Sequence, residues 1–304
     1  MAISRAQLVK ELEPGLNALF GLEYKRYENQ HAEIYTTESS DRAFEEEVML
    51  SGFANAQVKV EGSGVSFDEA QETYTARYTH DTIALAFAIT EEAIEDNLYD
   101  RIASRYTKAL ARSMSNAKQV KAVTPLNNGL SSVATFNSGD GISLFSTNHT
   151  TVSGTAVKNT LTTQADLNET SLEQGLIDIA GMTDERGLRV AARGVKMIIP
   201  SANQFNAERL MKSQGRTGTA DNDINAVVSM GMVPQGYRVN NFLTDTDSWY
   251  IITDVPNGMK MFQRAALKTA MEGDFDTGNV RYKARERYSF GVSDYRGVFG
   301  VEGA

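Results

Sequence analysis

The stretch from Thr90 to Val123 constrains the fold more than any other part of the chain. Ile94, Leu98, Ile102, Tyr106, Leu110, Met114 and Ala117 recur every three or four positions, and no Gly or Pro intervenes before Pro125. Thr90 is suited to cap such a helix, with Ile89 and Ile94 as a hydrophobic staple. Glu91, Glu92, Glu95 and Asp96 crowd the positive end of the dipole, and Lys108, Arg112, Lys118 and Lys121 gather toward the negative end. About 30 residues at roughly 1.5 Å rise make a rod of roughly 45–50 Å. A compact domain of this size does not need so long a helix. The stripe is single and lacks sustained a/d heptads, so it predicts a helix lying across a sheet and not a coiled coil.

The segments before this helix are poor in core. Residues 1–50 carry Arg5, Lys10, Lys25, Arg26 and Arg42 against ten carboxylates, including Glu45, Glu46 and Glu47. Ile3, Leu8 and Leu12 predict a short N-terminal helix stopped by Pro14-Gly15, and apolar residues are sparse between Tyr24 and Phe44. The segment reads as a solvated tail or an arm that orders only against other subunits. Residues 51–90 read as β. Val58 and Val60 alternate with polar neighbours, Glu61-Gly62-Ser63-Gly64 is a turn signal, and Val65 and Phe67 alternate in their turn. Tyr74, Ala76 and Tyr78 continue the period of two. Parity then changes before Ile83-Leu85-Phe87-Ile89, which requires a bulge or bend near Thr79-His80-Asp81. Such a hairpin is marginal in water without outside support.

The remainder is more conventional. Thr147 to Thr163 reads as a mobile surface loop. Residues 170–258 form an α/β unit. Ser171 and Gln174 suggest a capping box before a helix with Leu172, Leu176 and Ile179 on its apolar face. Ser201 and Gln204 repeat that pattern before a second helix. Strands are predicted at Val195–Ile199, Gly236–Phe242, Trp249–Thr253 and near Val298–Val301. In Val280-Tyr282-Ala284 the apolar residues alternate with Arg281, Lys283, Arg285 and Arg287, which puts four cations on one strand face.

Composition narrows the chemistry. The chain has 304 residues, no cysteine and a net charge of −9. Disulfides, thiolate zinc sites and cysteine nucleophiles are therefore excluded. The acidity argues against broad, sequence-independent phosphate binding while leaving room for a local basic patch. No spanning helix or secretory signal is visible, and the simplest compartment is the cytoplasm of the producing cell. There is no G-x-S-x-G elbow, Walker loop or H-E-x-x-H pair. His31, His80 and His149 lie in polar contexts and read as exposed loop residues. Asp221-Asn222-Asp223-Ile224-Asn225 opens like a calcium loop, but Ala226 and Met232 stand where Gly and Glu are needed. No catalytic, cofactor or metal site is expected.

The order of elements resembles the major capsid proteins of tailed bacteriophages, of the Hong Kong 97 type, and is most similar to the Mu-like head-subunit group. FAITEEAIEDN (87–97) resembles the approach to that family's spine helix, and GISLFSTNHT (141–150) the segment after it. DLNETSLEQGLIDIAGMTDERG (166–187) with VKMIIPSANQFNAERLMKS (195–213) resembles its axial domain. TDTDSWYIITD (244–254) and FGVSDYRGVFG (290–300) resemble an Asp/Trp-containing strand and the closing strand.

The resemblance implies an α+β fold with five parts. Residues 1–50 would be the N-terminal arm, and 51–89 the extended β-hairpin loop with the strand leading into the helix. Residues 90–140 would hold the spine helix and peripheral domain, 141–260 the axial domain, and 261–304 the returning peripheral strands and the C-terminal strand. It implies a virion protein that assembles with itself through hexamers and pentamers around double-stranded DNA that it does not read, with scaffolding either a separate protein or not needed, and with portal and decoration proteins as candidate further partners. The arm and loop would lie over neighbouring subunits. Glu45, Glu46, Glu47, Lys59, Phe67, Tyr74, Tyr78, Arg281, Lys283, Arg285 and Arg287 are the candidate intersubunit contacts. One relative type joins subunits through a Lys–Asn isopeptide bond. Lys59 lies in the loop, but no Asn is singled out, so denatured shells are expected to yield monomers of intact size. The net charge predicts an acidic lumen. Competing readings are a nanocompartment shell that packs enzymes, a soluble enzyme with a pocket in 170–258, and an adhesin or surface-layer protein.

Overall fold

A computed structural model describes residues 5–90, 92–93, 99–131, 138–215, 223–274 and 278–303. In chain order the elements are α1 (Arg5–Arg26), β1 (Thr36–Ser39), β2 (Phe44–Leu50), β3 (Glu72–Thr79), β4 (Asp81–Ile89), α2 (Tyr99–Asn127), β5 (His149–Thr150), β6 (Ala156–Val157), α3 (Glu169–Ala180), β7 (Gly194–Ile199), α4 (Gln204–Lys212), α5 (Ala226–Ser229), β8 (Tyr237–Val239), β9 (Trp249–Thr253), β10 (Met259–Gly273), β11 (Val280–Val292) and β12 (Val298–Val301). No described helix is long and apolar enough to cross a membrane.

Two four-stranded sheets organise the α+β fold. The first has the order β1-β10-β11-β4, with β1 parallel to β10 and the other pairs antiparallel. Along β11 the odd and even positions separate cleanly. Val280, Tyr282, Ala284, Glu286 and Tyr288 are buried, while Arg281, Lys283 and Arg285 are exposed. The buried face receives α1 and α2: Leu16, Phe20, Leu110, Ala111 and Met114 pack on Ile89, Tyr282 and Ala284. The long helix thus lies across a sheet as its single stripe requires. Thr90 Oγ1 accepts from the Ala93 N–H at 3.4 Å, whereas Glu91 and residues 94–98 lie outside the described residues.

The second sheet, β12-β9-β7-β8, has β7 parallel to β8 and antiparallel to β9. Trp249, Ile251, Met197, Ile199 and Phe299 form its core with Leu172 and Ile179 of α3. The cap of α3 is Asn168 and not Ser171. Asn168 accepts from the Ser171 N–H at 2.9 Å, and Ser171 Oγ accepts from the Asn168 N–H at 3.0 Å. A third core joins the sheets through Tyr35, Val123, Leu126, Phe145, Tyr250 and Tyr288. Between them two backbones touch at glycines: a Cβ on Gly258 would come within 2.7 Å of the Gly297 Cα.

Several expectations change. The N-terminal helix runs on through Pro14 and Gly15 to Arg26, because Leu16 and Phe20 beyond them bury against α2 and β11. The arm does not wait for another subunit. Ile34 and Tyr35 are buried, Tyr35 donates to the Ala122 carbonyl at 2.6 Å, and β1 joins the first sheet. The sparse apolar residues are simply placed where they count. His31, His80 and His149 are all buried; polar neighbours satisfy the rings of His80 and His149, whereas His31 Nδ1 has no hydrogen-bond partner among the described residues. His80 Nε2 and Nδ1 meet Ser40 Oγ at 2.9 Å and Ser289 Oγ at 3.0 Å. His149 meets Asp140 at 2.6 Å and Asn159 at 3.2 Å, and stacks on Tyr295 at 3.8 Å. That histidine, with buried Asn159, Thr160 and Leu161, anchors the segment 147–163, of which 152–156 stay at the surface.

Candidate intersubunit surfaces

The parity break falls at His80, between β3 and β4. Before it, β2 and β3 pair antiparallel, with Glu45 opposite Tyr78 and Glu47 opposite Ala76. The extended hairpin therefore takes its first strand from 44–50, within the stretch read as arm. Its far end, residues 51–71, carries no ladder. The Ser51 N–H donates to the Gln71 carbonyl at 2.8 Å, the Ala54 N–H to Asp68 at 2.7 Å, and the Ser63 N–H to the Val60 carbonyl at 3.1 Å. Arg186 reaches the Glu69 carbonyl at the loop's base. Beyond that the alternating apolar residues have no cover. Phe67 is 97% exposed and Val58 92% exposed, and Lys59 is exposed between Val58 and Val60.

The acidic run at the hairpin base is already engaged. Glu45 accepts from Ser40 Oγ at 2.7 Å, Glu46 lies 3.7 Å from Arg77, and Glu47 lies 2.5 Å from Lys260. Burial disfavours the Lys260 charge, but Glu47 and Glu38 outweigh it and raise its pKa. Tyr78 is buried: its hydroxyl bonds Ser293 and its ring meets Phe262 edge-on at 4.8 Å. Tyr74 lies against Gly139, where a Cβ would come 2.5 Å from the ring. These two aromatics anchor the hairpin to its own subunit. A groove of about 980 Å³ runs beside the anchor, bordered by Thr75, Arg77 and Thr79 of β3, Val120 and Lys121 of α2, and Phe290.

Of the four cations expected on that strand face, Arg281, Lys283 and Arg285 are exposed and Arg287 is half-buried. Arg281 stands between Glu272 and Ala88, Lys283 between Ala270 and Ala86, Arg285 between Lys268 and Ala84, and Arg287 between Ala265 and Thr82. Arg281 pairs with Asp274. The small residues of β4 leave a shallow strip beside the charges.

Two buried charge groups had no signature in the sequence. Arg296 donates through Nε to the Thr183 carbonyl at 2.8 Å, and pairs with Glu185 at 2.5 Å and Asp294 at 3.2 Å. Burial pushes Asp294 above the usual carboxylate range against the pull of Arg296. Lys118 of α2 meets Glu286 of β11 at 3.2 Å and lies 5.0 Å from the Tyr288 ring centre. Burial raises Glu286 despite Lys118. Arg296–Glu185 and Lys118–Glu286 join residues far apart in sequence, and the local Asp294-x-Arg296 spacing carries no sign of its burial.

Among the described residues no three His, Asp or Glu converge as metal ligands. One cavity within 170–258 is lined by Met211, Val227, Met232, Pro234, Tyr237 and Arg238. Its nearest titrating network, Glu208 with Tyr237 at 2.6 Å and Lys212 at 2.9 Å, is a surface contact.

No curated protein matches the chain in sequence. Solved shells do match in fold. The procapsid subunit of bacteriophage JBD30 aligns over 99% of this chain and 77% of its own, at 14% identity and TM-score 0.55. The capsid subunit of Myoviridae phage XM1 aligns over 89% of each chain, at 11% identity and TM-score 0.53. The virus-like particle subunit of Pyrococcus furiosus aligns over 95% and 98%, at 9% identity and TM-score 0.54. At such identities these likenesses carry the fold alone. A family model described as phage capsid protein matches residues 73–301. With most of its length so matched, the chain belongs to the phage capsid protein family, as a shell-forming structural component of the virion.

Proposed function

We propose that copies of this chain close into an icosahedral head through hexamers and pentamers, around phage double-stranded DNA, in the cytoplasm of a host bacterium. The unit built on β12-β9-β7-β8 would gather at the centre of each ring, and the unit built on β1-β10-β11-β4 with α1 and α2 would form the periphery. The loop 51–71 is the observation that carries the reading. It exposes Val58, Val60, Val65 and Phe67 at alternate positions on a ribbon without a core, which an isolated subunit has no reason to keep.

We place that loop over the adjacent subunit. Glu61, Asp68 and Glu69 outnumber its single cation, Lys59, and the strip formed by Arg281, Lys283, Arg285 and Arg287 has the complementary sign. Glu45, Glu46, Glu47, Tyr74 and Tyr78 would act from below, holding the hairpin at a fixed angle. Scaffolding, portal and decoration proteins would be separate chains. The test is electron microscopy of the purified full-length protein beside a variant with 53–69 replaced by a short Gly/Ser turn. Closed shells from the first and folded, unassembled subunits from the second are expected. Shells from the loop-deleted variant would remove the loop from the account.

A further inference from the structure

The net acidity of the chain hides a second basic surface, on the opposite side of the peripheral unit from the β11 strip. Between Arg101 and Asn127 there is no Asp or Glu at all, against six Lys and Arg. Two of these are spent inside the subunit, Lys118 on Glu286 and Lys121 on Asp81. Arg105, Lys108 and Arg112 are exposed and make no ion pair among the described residues. Their spacing of three and four residues sets them in one row along the helix, about 10 Å long. Ala109, Ser113 and Asn116 lie among them, small or polar side chains that leave the charges accessible, and Leu22 is a large apolar residue exposed on α1. Lys25 and Arg26 of α1 are exposed on the neighbouring helix. The one acid lining the groove between the helices, Glu23, already lies 3.6 Å from Arg26 and accepts from the Tyr27 hydroxyl at 3.0 Å.

We propose that this face of α1 and α2 is the lumen surface of the peripheral unit and binds the phosphate backbone of the enclosed duplex DNA, weakly and without sequence preference. The inference rests on the reading that the chain encloses such DNA. The sheet's buried face is covered by α1 and α2, so the helix layer and the β11 strip look in opposite directions. If the strip receives a neighbour's acidic loop on one side of the shell, the helix row is left to the other side with its charge unmatched. Three to five contacts per subunit give feeble binding that salt removes. That suits a genome which must also leave, and it replaces the uniformly acidic lumen expected from net charge.

The test is fluorescence anisotropy of a short random-sequence duplex with the full-length protein over a series of salt concentrations. Arg105→Gln, Lys108→Gln and Arg112→Gln together should weaken low-salt affinity about tenfold or more and flatten the log–log salt slope by about 3, near 0.9 for each lost phosphate contact. Arg193→Gln with Arg209→Gln, two exposed cations on the unit of the second sheet, should leave both quantities unchanged. The inference is overturned by a wild type that ignores the duplex at low salt, by a helix variant that binds like wild type, or by an equal loss in the Arg193/Arg209 variant. Tighter binding of poly-glutamate than of duplex would also overturn it, in favour of an acidic protein. Electron microscopy of the same preparations separates the two levels. Closed shells without DNA contact would sink this inference alone, whereas absence of shells would bring down the assembly reading beneath it.

Discussion

The N-terminal segment and the loop 51–71 look alike in composition, yet they meet opposite fates. Both are acidic and carry apolar residues in about the chain-wide proportion. The first folds back onto its own subunit, burying Leu16, Phe20, Ile34 and Tyr35. The second buries almost nothing. The difference lies in spacing. Leu16, Phe20 and Tyr24 fall four apart, so they line one face of α1 and meet the stripe of α2 over a ready-made surface. Val58, Val60, Val65 and Phe67 fall two apart, which suits only a strand face, and no strand of the subunit lies beside them. A period-two stripe needs a surface from elsewhere. The number of apolar residues in a segment is therefore a poor guide to whether it folds at home.

The largest effect should come from removing the docked segment. Deletion of residues 1–45 takes away Phe20, Tyr35, β1 and the start of β2, and the subunit is expected to lose cooperative unfolding altogether. Replacing residues 53–69 should leave the melting curve intact. A folded 1–45 deletion would collapse the contrast.

Single substitutions sharpen it. Phe20→Ala should cost about 3–5 kcal/mol in urea titrations, as for a large buried aromatic. Phe67→Ala should change subunit stability by about 0.5 kcal/mol or less while impairing assembly. Lys118→Ala strands Glu286 beneath the docked segment and should cost about 3–5 kcal/mol. A cost near zero would show that Glu286 escapes to water when α1 loosens.

The smallest predicted effect is on pH. Burial, with Lys118 nearby, lowers His31 to about 4 from an ordinary 6.5. The unfolded chain then takes up a proton near pH 6.5 and the folded chain only near 4, so falling pH favours unfolding through that window. Glu286 works the other way, because its raised pKa lets the folded state take up a proton first. The clean reading is the difference between wild type and His31→Gln. Hydrogen exchange in residues 13–35 should rise on acidification more in wild type than in the variant, and the loop 51–71 should exchange fast at every pH. Equal responses would remove His31 from the docking.

How much was legible follows the same logic. The long helix, the parity break at His80, the strand at 194–199 and the alternation along β11 are one-dimensional patterns, and each was readable. The missing rung of information was pairing at a distance. Nothing in the sequence around His31 announces that its N–H meets Gln119 Oε1 at 3.0 Å. Nor does Lys118 announce Glu286 on a strand that closes much later. Of the candidate contacts, Phe67, Lys283 and Arg285 are exposed, whereas Tyr78 and Glu47 are committed inside the subunit and Arg281 already pairs with Asp274. Alternation reveals which face a residue takes, but not what already covers that face.

The central claim is that the exposed loop keeps its apolar residues for a second copy of the chain. Electron microscopy of assembled wild-type protein, taken to a resolution that traces the backbone, tests it most directly. The account predicts closed icosahedral shells in which Phe67 of each subunit is buried on an adjacent one. A protein that stays monomeric or dimeric at every concentration and salt, or shells in which residues 51–71 project freely into solvent, would contradict it.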